Sequence, residues 1–194
     1  MSRRVQRVRY HLDPKKIKAL PSAEIKAILR GADELITRGG RSLLAKVLKG
    51  SHAKDVLNLQ LNQSPVYGYY RDLSEEDVLA RIDWVILNGY LRLEYDYRLP
   101  LLVYTETGWE IEKETYADEL LEGFDRLLAT GQRPYELSYL KDRSRDLIWR
   151  LLDKIETCGD PKYIPVLEDW ELIDYKKVRQ RIRQVISGLS HGAG

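Results

Sequence analysis

The sequence predicts a mainly α protein with a small β-hairpin: a winged helix-turn-helix followed by an α-helical C-terminal extension. Three observations carry this reading. Amphipathic helical stretches recur between residues 22 and 87; two short alternating strands follow within 90–104; every later apolar pattern has the helical period.

The opening residues 1–21 read as a basic arm, in which Arg4-Val5-Gln6-Arg7-Val8-Arg9-Tyr10 alternates like a short strand and Pro14 and Pro21 act as punctuation. Ser22 is the expected N-cap of the first helix. Its apolar positions are Ile25, Ile28, Leu29, Ala32, Leu35 and Ile36, and Gly39-Gly40 is its expected stop. A second helix over 42–48 turns Leu43, Leu44, Val47 and Leu48 inward and ends at Gly50. Residues 55–61 are expected to be helical and 62–70 to turn. The clearest helix begins at Ser74, where Ser-Glu-Glu-Asp approximates a capping box, and closes at Asn88-Gly89. Alternation over 90–95 and an apolar run over 101–104 make the hairpin, with 96–100 as its tip. This order defines a winged-helix domain over 22–109, with the helix from Ser74 as recognition helix and the hairpin as wing.

Residues 110–190 read as a helical extension. Trp109, Tyr116, Leu120, Leu121, Phe124, Leu127 and Leu128 share one face, Leu147, Ile148, Leu151, Leu152 and Ile155 a second, and Tyr175, Val178, Ile182, Val185, Ile186 and Leu189 a third. The stretch 134–140 is the expected linker, and 190–194 a loose tail.

Hydrophobic residues at 43% and charged residues at 32% place the chain among ordinary globular proteins. No apolar run reaches the ~20 residues of a membrane span, and no apolar signal core follows the basic start. The single Cys158 excludes an intrachain disulfide or a multi-cysteine zinc site and suits a reducing compartment, so the expected location is cytoplasmic, nucleoid-associated if the source is bacterial. The net charge of +2 conceals an asymmetry. Residues 1–54 hold 14 Lys/Arg against 4 Asp/Glu, whereas 55–110 hold 4 against 10. So concentrated a positive field is the usual footprint of a phosphate-binding surface.

At Lys49-Gly50-Ser51, Pro65-Val66-Tyr67-Gly68, Asp72-Leu73-Ser74 and Ile86-Leu87-Asn88-Gly89-Tyr90-Leu91 the chain resembles the RQC domain, the winged helix of RecQ-type DNA helicases. The likeness spans roughly residues 39–108 and extends to small stand-alone RQC-type proteins that bind DNA without a helicase motor. It implies binding of duplex ends, forks or branched junctions. It does not imply unwinding, because the sequence has no Gly-x-x-x-x-Gly-Lys-Ser/Thr loop and cannot build the zinc subdomain that RecQ helicases place ahead of this module. Residues 143–189, around Asp160-Pro161-Lys162-Tyr163-Ile164-Pro165, resemble a HEAT-type helical repeat, which needs a neighbour to cover its face.

The expected recognition helix is acidic: Glu75, Glu76, Asp77 and Asp83 outweigh Arg81, its one candidate DNA contact. Such a helix does not suit a groove lined by phosphates, and the acids of its first turn complement the helix dipole. Phosphate contacts are expected instead from Arg41, Ser42, Lys46, Lys49, Gly50, Ser51, His52 and Lys54, with backbone N–H groups at Gly50-Ser51 and the Ser51 hydroxyl facing a phosphate. The resemblance singles out Ser51, since the matching Gly-Ser of RQC domains lies against the DNA backbone. Tyr97 and Arg98 at the wing tip supply a stacking ring and an adjacent cation. Tyr67 reads as core, Tyr69 and Tyr70 as solvent-facing, and Lys176, Lys177, Arg179, Arg181 and Arg183 as a solvated basic face or a second phosphate patch.

No catalytic spacing is present among His11, His52 and His191, and no cofactor is expected. The expectation is a non-enzymatic DNA-binding protein. The alternative is a protein-interaction adaptor that docks partners through the winged helix and the helical tail.

Overall fold

A computed structural model describes residues 11–191. The expected strand at 4–10, the first four arginines and the last three residues lie outside the described residues. Within them the chain is mainly α, with eight α-helices and one two-stranded antiparallel hairpin. It divides into two compact units, Met1–Glu112 and Lys113–Gly194.

In the first unit, α1 (Ser22–Ala32), α2 (Arg41–Lys49) and α4 (Glu75–Leu87) enclose the core, with the short α3 (Lys54–Asn58) between the last two. Ile28, Leu29, Leu44, Leu48, Val78, Ile82 and Val85 are buried there at helical spacing. The α1 helix starts at Ser22 itself, one residue earlier than expected, with Pro21 at the N-cap position. It also stops earlier than Gly39. Residues 33–35 tighten into a 3-10 turn, after which the connector leaves the helix to hydrogen-bond the hairpin. Thr37 N–H donates to the Leu102 carbonyl and Leu102 N–H donates to the Gly39 carbonyl, both at 2.9 Å. Those backbone bonds are unavailable to a continued helix.

The C-terminus of α2 depends on glycine. Gly50 has φ of 75°, and a Cβ on it would lie 3.0 Å from the Gly68 Cα. The conformation and the close approach both exclude a side chain. Ser74 caps α4 as expected, its hydroxyl accepting from Asp77 N–H at 3.1 Å. β1 (Leu91–Asp96) pairs with β2 (Leu99–Tyr104) from Leu91↔Tyr104 to Asp96↔Leu99, so the wing turns on Tyr97 and Arg98 alone. The tip is tighter than the five residues expected.

In the second unit, the later turns of α5 (Glu106–Thr130), together with α6 (Arg145–Cys158), α7 (Ile164–Ile173) and α8 (Lys176–His191), surround Phe124, Leu151, Leu152, Leu167, Trp170 and Ile182. The Phe124 and Trp170 rings meet edge to face at 5.8 Å. The stretch 134–140 is not a linker. Tyr135, Leu137 and Leu140 are buried, and Tyr135 N–H donates to the Asp169 carboxylate at 3.0 Å. Its turn-forming residues gave a linker pattern, while its alternate apolar side chains are core. The division between units falls inside α5.

Candidate nucleic-acid interface

The helix expected to enter a groove is engaged by the protein itself. Lys15 Nζ lies 2.8 Å from Asp77 and 3.7 Å from Glu76. Asp13 N–H donates to Asp83 Oδ2 at 2.9 Å, and Ile17 and Leu20 pack against the core beside it. The segment 11–20 is therefore a strap fastened along about 10 Å of α4, seven residues at the helical rise. Arg81, the one cation of α4, donates to Glu24 at 3.0 Å and lies over the Tyr70 ring. The exposed charges left on α4 are Glu75 and Glu76.

Several expected phosphate ligands have partners inside the protein. Arg41 opens α2 and reaches Asp83 at 2.6 Å, with side chains 14% and 3% exposed, and also donates to the His11 carbonyl. Burial pushes the Asp83 carboxyl upward against the pull of this guanidinium. Lys46 holds Asp55 at 2.6 Å, and its hydrogen bond keeps that carboxyl below its ordinary range. Lys49 Nζ donates to the Arg71 carbonyl at 2.6 Å and to the Leu73 carbonyl, fastening the loop before α4. The expected free N–H groups at Gly50-Ser51 are also engaged. Gly50 donates to Val47 and Ser51 to Lys46, closing the end of α2. The Ser51 hydroxyl accepts from Ala53 N–H at 3.2 Å, and the Tyr67 hydroxyl donates to the Ser51 carbonyl at 3.1 Å.

What remains is compact. At the C-terminal end of α2, His52 and Lys54 are exposed beside half-buried Ser51, and Lys54 forms no ion pair among the described residues. Arg71 joins them, because its own carbonyl holds Lys49. Sequence reasoning missed Arg71, whose proximity depends on a contact between residues twenty-two positions apart. Ser42 is exposed at the other end of α2, next to the wing. There Gly40 packs so near the Pro100 carbonyl that a Cβ would approach to 2.9 Å. Arg38, on the connector beside β2, is a second cation the sequence did not single out.

At the wing tip Tyr97 is 68% exposed with φ of 52°, and Leu99 is 62% exposed. The Arg98 guanidinium lies 5.6 Å from the Tyr97 ring centroid. An aromatic residue in the left-handed region costs roughly 1–2 kcal/mol relative to ordinary backbone. Packing does not repay that cost, since the ring faces solvent. Tyr70, expected to face solvent, is instead buried and donates to Glu24 at 2.7 Å, while Tyr69 stays exposed.

Among the described residues no cluster of three or more His, Cys, Asp or Glu is placed to hold a metal ion, and no helix is long and apolar enough to cross a membrane. Comparison with known families matches residues 21–119 to the RQC domain. Comparison with curated proteins and with solved structures returns no match. The RQC domain is a winged-helix domain found in RecQ helicases, which implies nucleic-acid binding. The match covers more than half of the chain, so this chain belongs to the RQC domain family.

Proposed function

We propose that this protein binds DNA without enzymatic activity, gripping duplex ends, forks or junctions through backbone contacts and a stacking wing tip rather than through a helix laid in the major groove. The observation that carries the reading is Tyr97: an exposed ring with an adjacent guanidinium, held in the left-handed region by the two-residue turn at the end of the hairpin. His52, Lys54 and Arg71 supply backbone contacts at one end of α2, with Ser42 and Arg38 toward the wing. The strap on α4 and the exposed Glu75 and Glu76 argue against major-groove readout.

The helical tail, with its HEAT-like pattern over 143–189, offers a surface for a protein partner. The cytoplasm, or the nucleoid of a bacterium, is the compartment this function suits.

The test is binding to blunt duplex, fork, Holliday junction and single strand at two salt concentrations. Tighter binding to forks and junctions than to the blunt duplex, which offers only its two ends, is expected, with a steep fall in affinity as salt rises. Equal affinity for all four forms, or affinity insensitive to salt, overturns the reading.

A further inference from the structure

The second unit contains a cleft of about 490 Å³ that shares no residue with the winged-helix surfaces. Its rim carries Lys141, Arg143, Arg145, Lys176 and Lys177, with Tyr175 beside them. Leu140, Ile148 and Val178 line it with apolar surface. One carboxylate is present. Asp174 is buried and turned into the protein, accepting from Trp170 Nε1 and Tyr175 N–H, each at 2.6 Å. Five cations thus face one internally bonded acid.

Arg143 lies over the Tyr116 ring at 5.1 Å, but Lys176 and Lys177 have no such structural role among the described residues. Lys176 and Lys177 occupy the first turn of α8, the positive end of its dipole, and that turn contains no acid. Cations are favoured at the opposite end of a helix, so these two oppose folding. Further along α8 two of the basic residues have partners: Arg181 reaches Asp153 and Glu156, and Arg183 reaches Glu171. Lys141, Arg145, Lys176 and Lys177 form no ion pair among the described residues. Tyr175 is 67% exposed, an aromatic face without a packing partner to account for it. A local rule broken without compensation marks a functional site.

The geometry points to a nucleotide-sized site for single-stranded nucleic acid, with a phosphodiester held by Lys176, Lys177 and Arg145 and a base stacked on Tyr175. The volume suits one nucleotide on an apolar floor, and cationic grooves paired with exposed aromatic rings are how proteins hold single strands. The inference shares its ligand class with the reading of the winged helix but uses none of its residues.

The experiment measures binding of the full chain to an oligo-dT strand and, separately, to blunt duplex. Lys176→Gln with Lys177→Gln should weaken oligo-dT binding about tenfold and lower the salt slope by about 1.4, two phosphate contacts on a single strand. Tyr175→Ala should also lose about tenfold, with Tyr175→Phe retaining affinity. Blunt-duplex affinity should be unchanged in all three. The double lysine variant should melt at the wild-type temperature or higher, which separates lost contacts from lost folding. Lys16→Gln with Lys18→Gln removes the same charge from the other unit and should leave oligo-dT binding intact. Unchanged oligo-dT affinity in the cleft variants, or an equal loss in the Lys16/Lys18 control, overturns the proposal. A wild type that binds oligo-dT but not duplex overturns the winged-helix reading and leaves this one standing.

Discussion

Arg41 shows what decides whether a cation can meet DNA. Its place in a basic cluster made it a phosphate ligand on paper, but the partner that holds it, Asp83, lies forty-two residues away on another helix. No local pattern reveals such a pairing. The pair is nearly dry, so removing one member strands the other: Arg41→Ala should destabilise the fold by about 3 kcal/mol in urea titration. A change under about 1 kcal/mol would show the bridge to be ornamental. Lys54 has no such partner among the described residues, and Lys54→Glu should weaken binding to all DNA sequences alike, with melting unchanged. Loss of binding to one sequence only would contradict a backbone contact. Tyr97 is the opposite of Arg41. Residue type and hairpin position marked it correctly as a wing-tip ring, but its left-handed backbone was invisible until the turn proved to be two residues long.

Elements were more legible than residues. The Ser74 cap, the stop of α2 at Gly50 and the alternating hairpin could be read locally, because each rests on contacts within a few positions. Errors came where a segment serves a distant neighbour. The 37–39 connector leaves α1 to bond with β2, the 134–140 stretch is buried, and the strap lies on α4. The α5 and α6 helices are joined by a charge clasp with a measurable signature. Glu114 bonds Arg150 and Lys154, and Lys154 reaches Asp118 at 2.7 Å. The hydrogen bond from Arg150, followed by that from Lys154, holds the Glu114 carboxyl down at about 2, against an ordinary value of 4.5. A carboxyl depressed in the folded state stabilises fully above its unfolded value and loses that contribution as pH falls through the folded one. Stability should therefore drop between about pH 4.5 and 2, and Glu114→Gln should flatten that part of the profile. Because Glu114 is partly exposed, the effect is modest. An identical acid profile in the variant would remove the clasp from the account.

For the whole molecule, the fold class and the family were legible, since both rest on the order of elements and on short motifs. The interface was legible only as a region. The basic first quarter of the chain suggested a broad phosphate surface, but internal bridges take up Arg41, Lys46 and Lys49. They leave the candidate contacts at the ends of α2 and the wing tip, with Lys16, Lys18 and Lys26 exposed elsewhere. What the wing does at a DNA end is the central claim. It is tested most directly with a duplex carrying 2-aminopurine at its terminal base pair, whose fluorescence reports stacking of that base. Wild-type protein should change the signal on binding. Tyr97→Asn, whose residue type tolerates the left-handed turn, should abolish the change without lowering the melting temperature. If Tyr97→Asn gives the wild-type signal at equal saturation, the wing tip does not engage the end and the account is wrong.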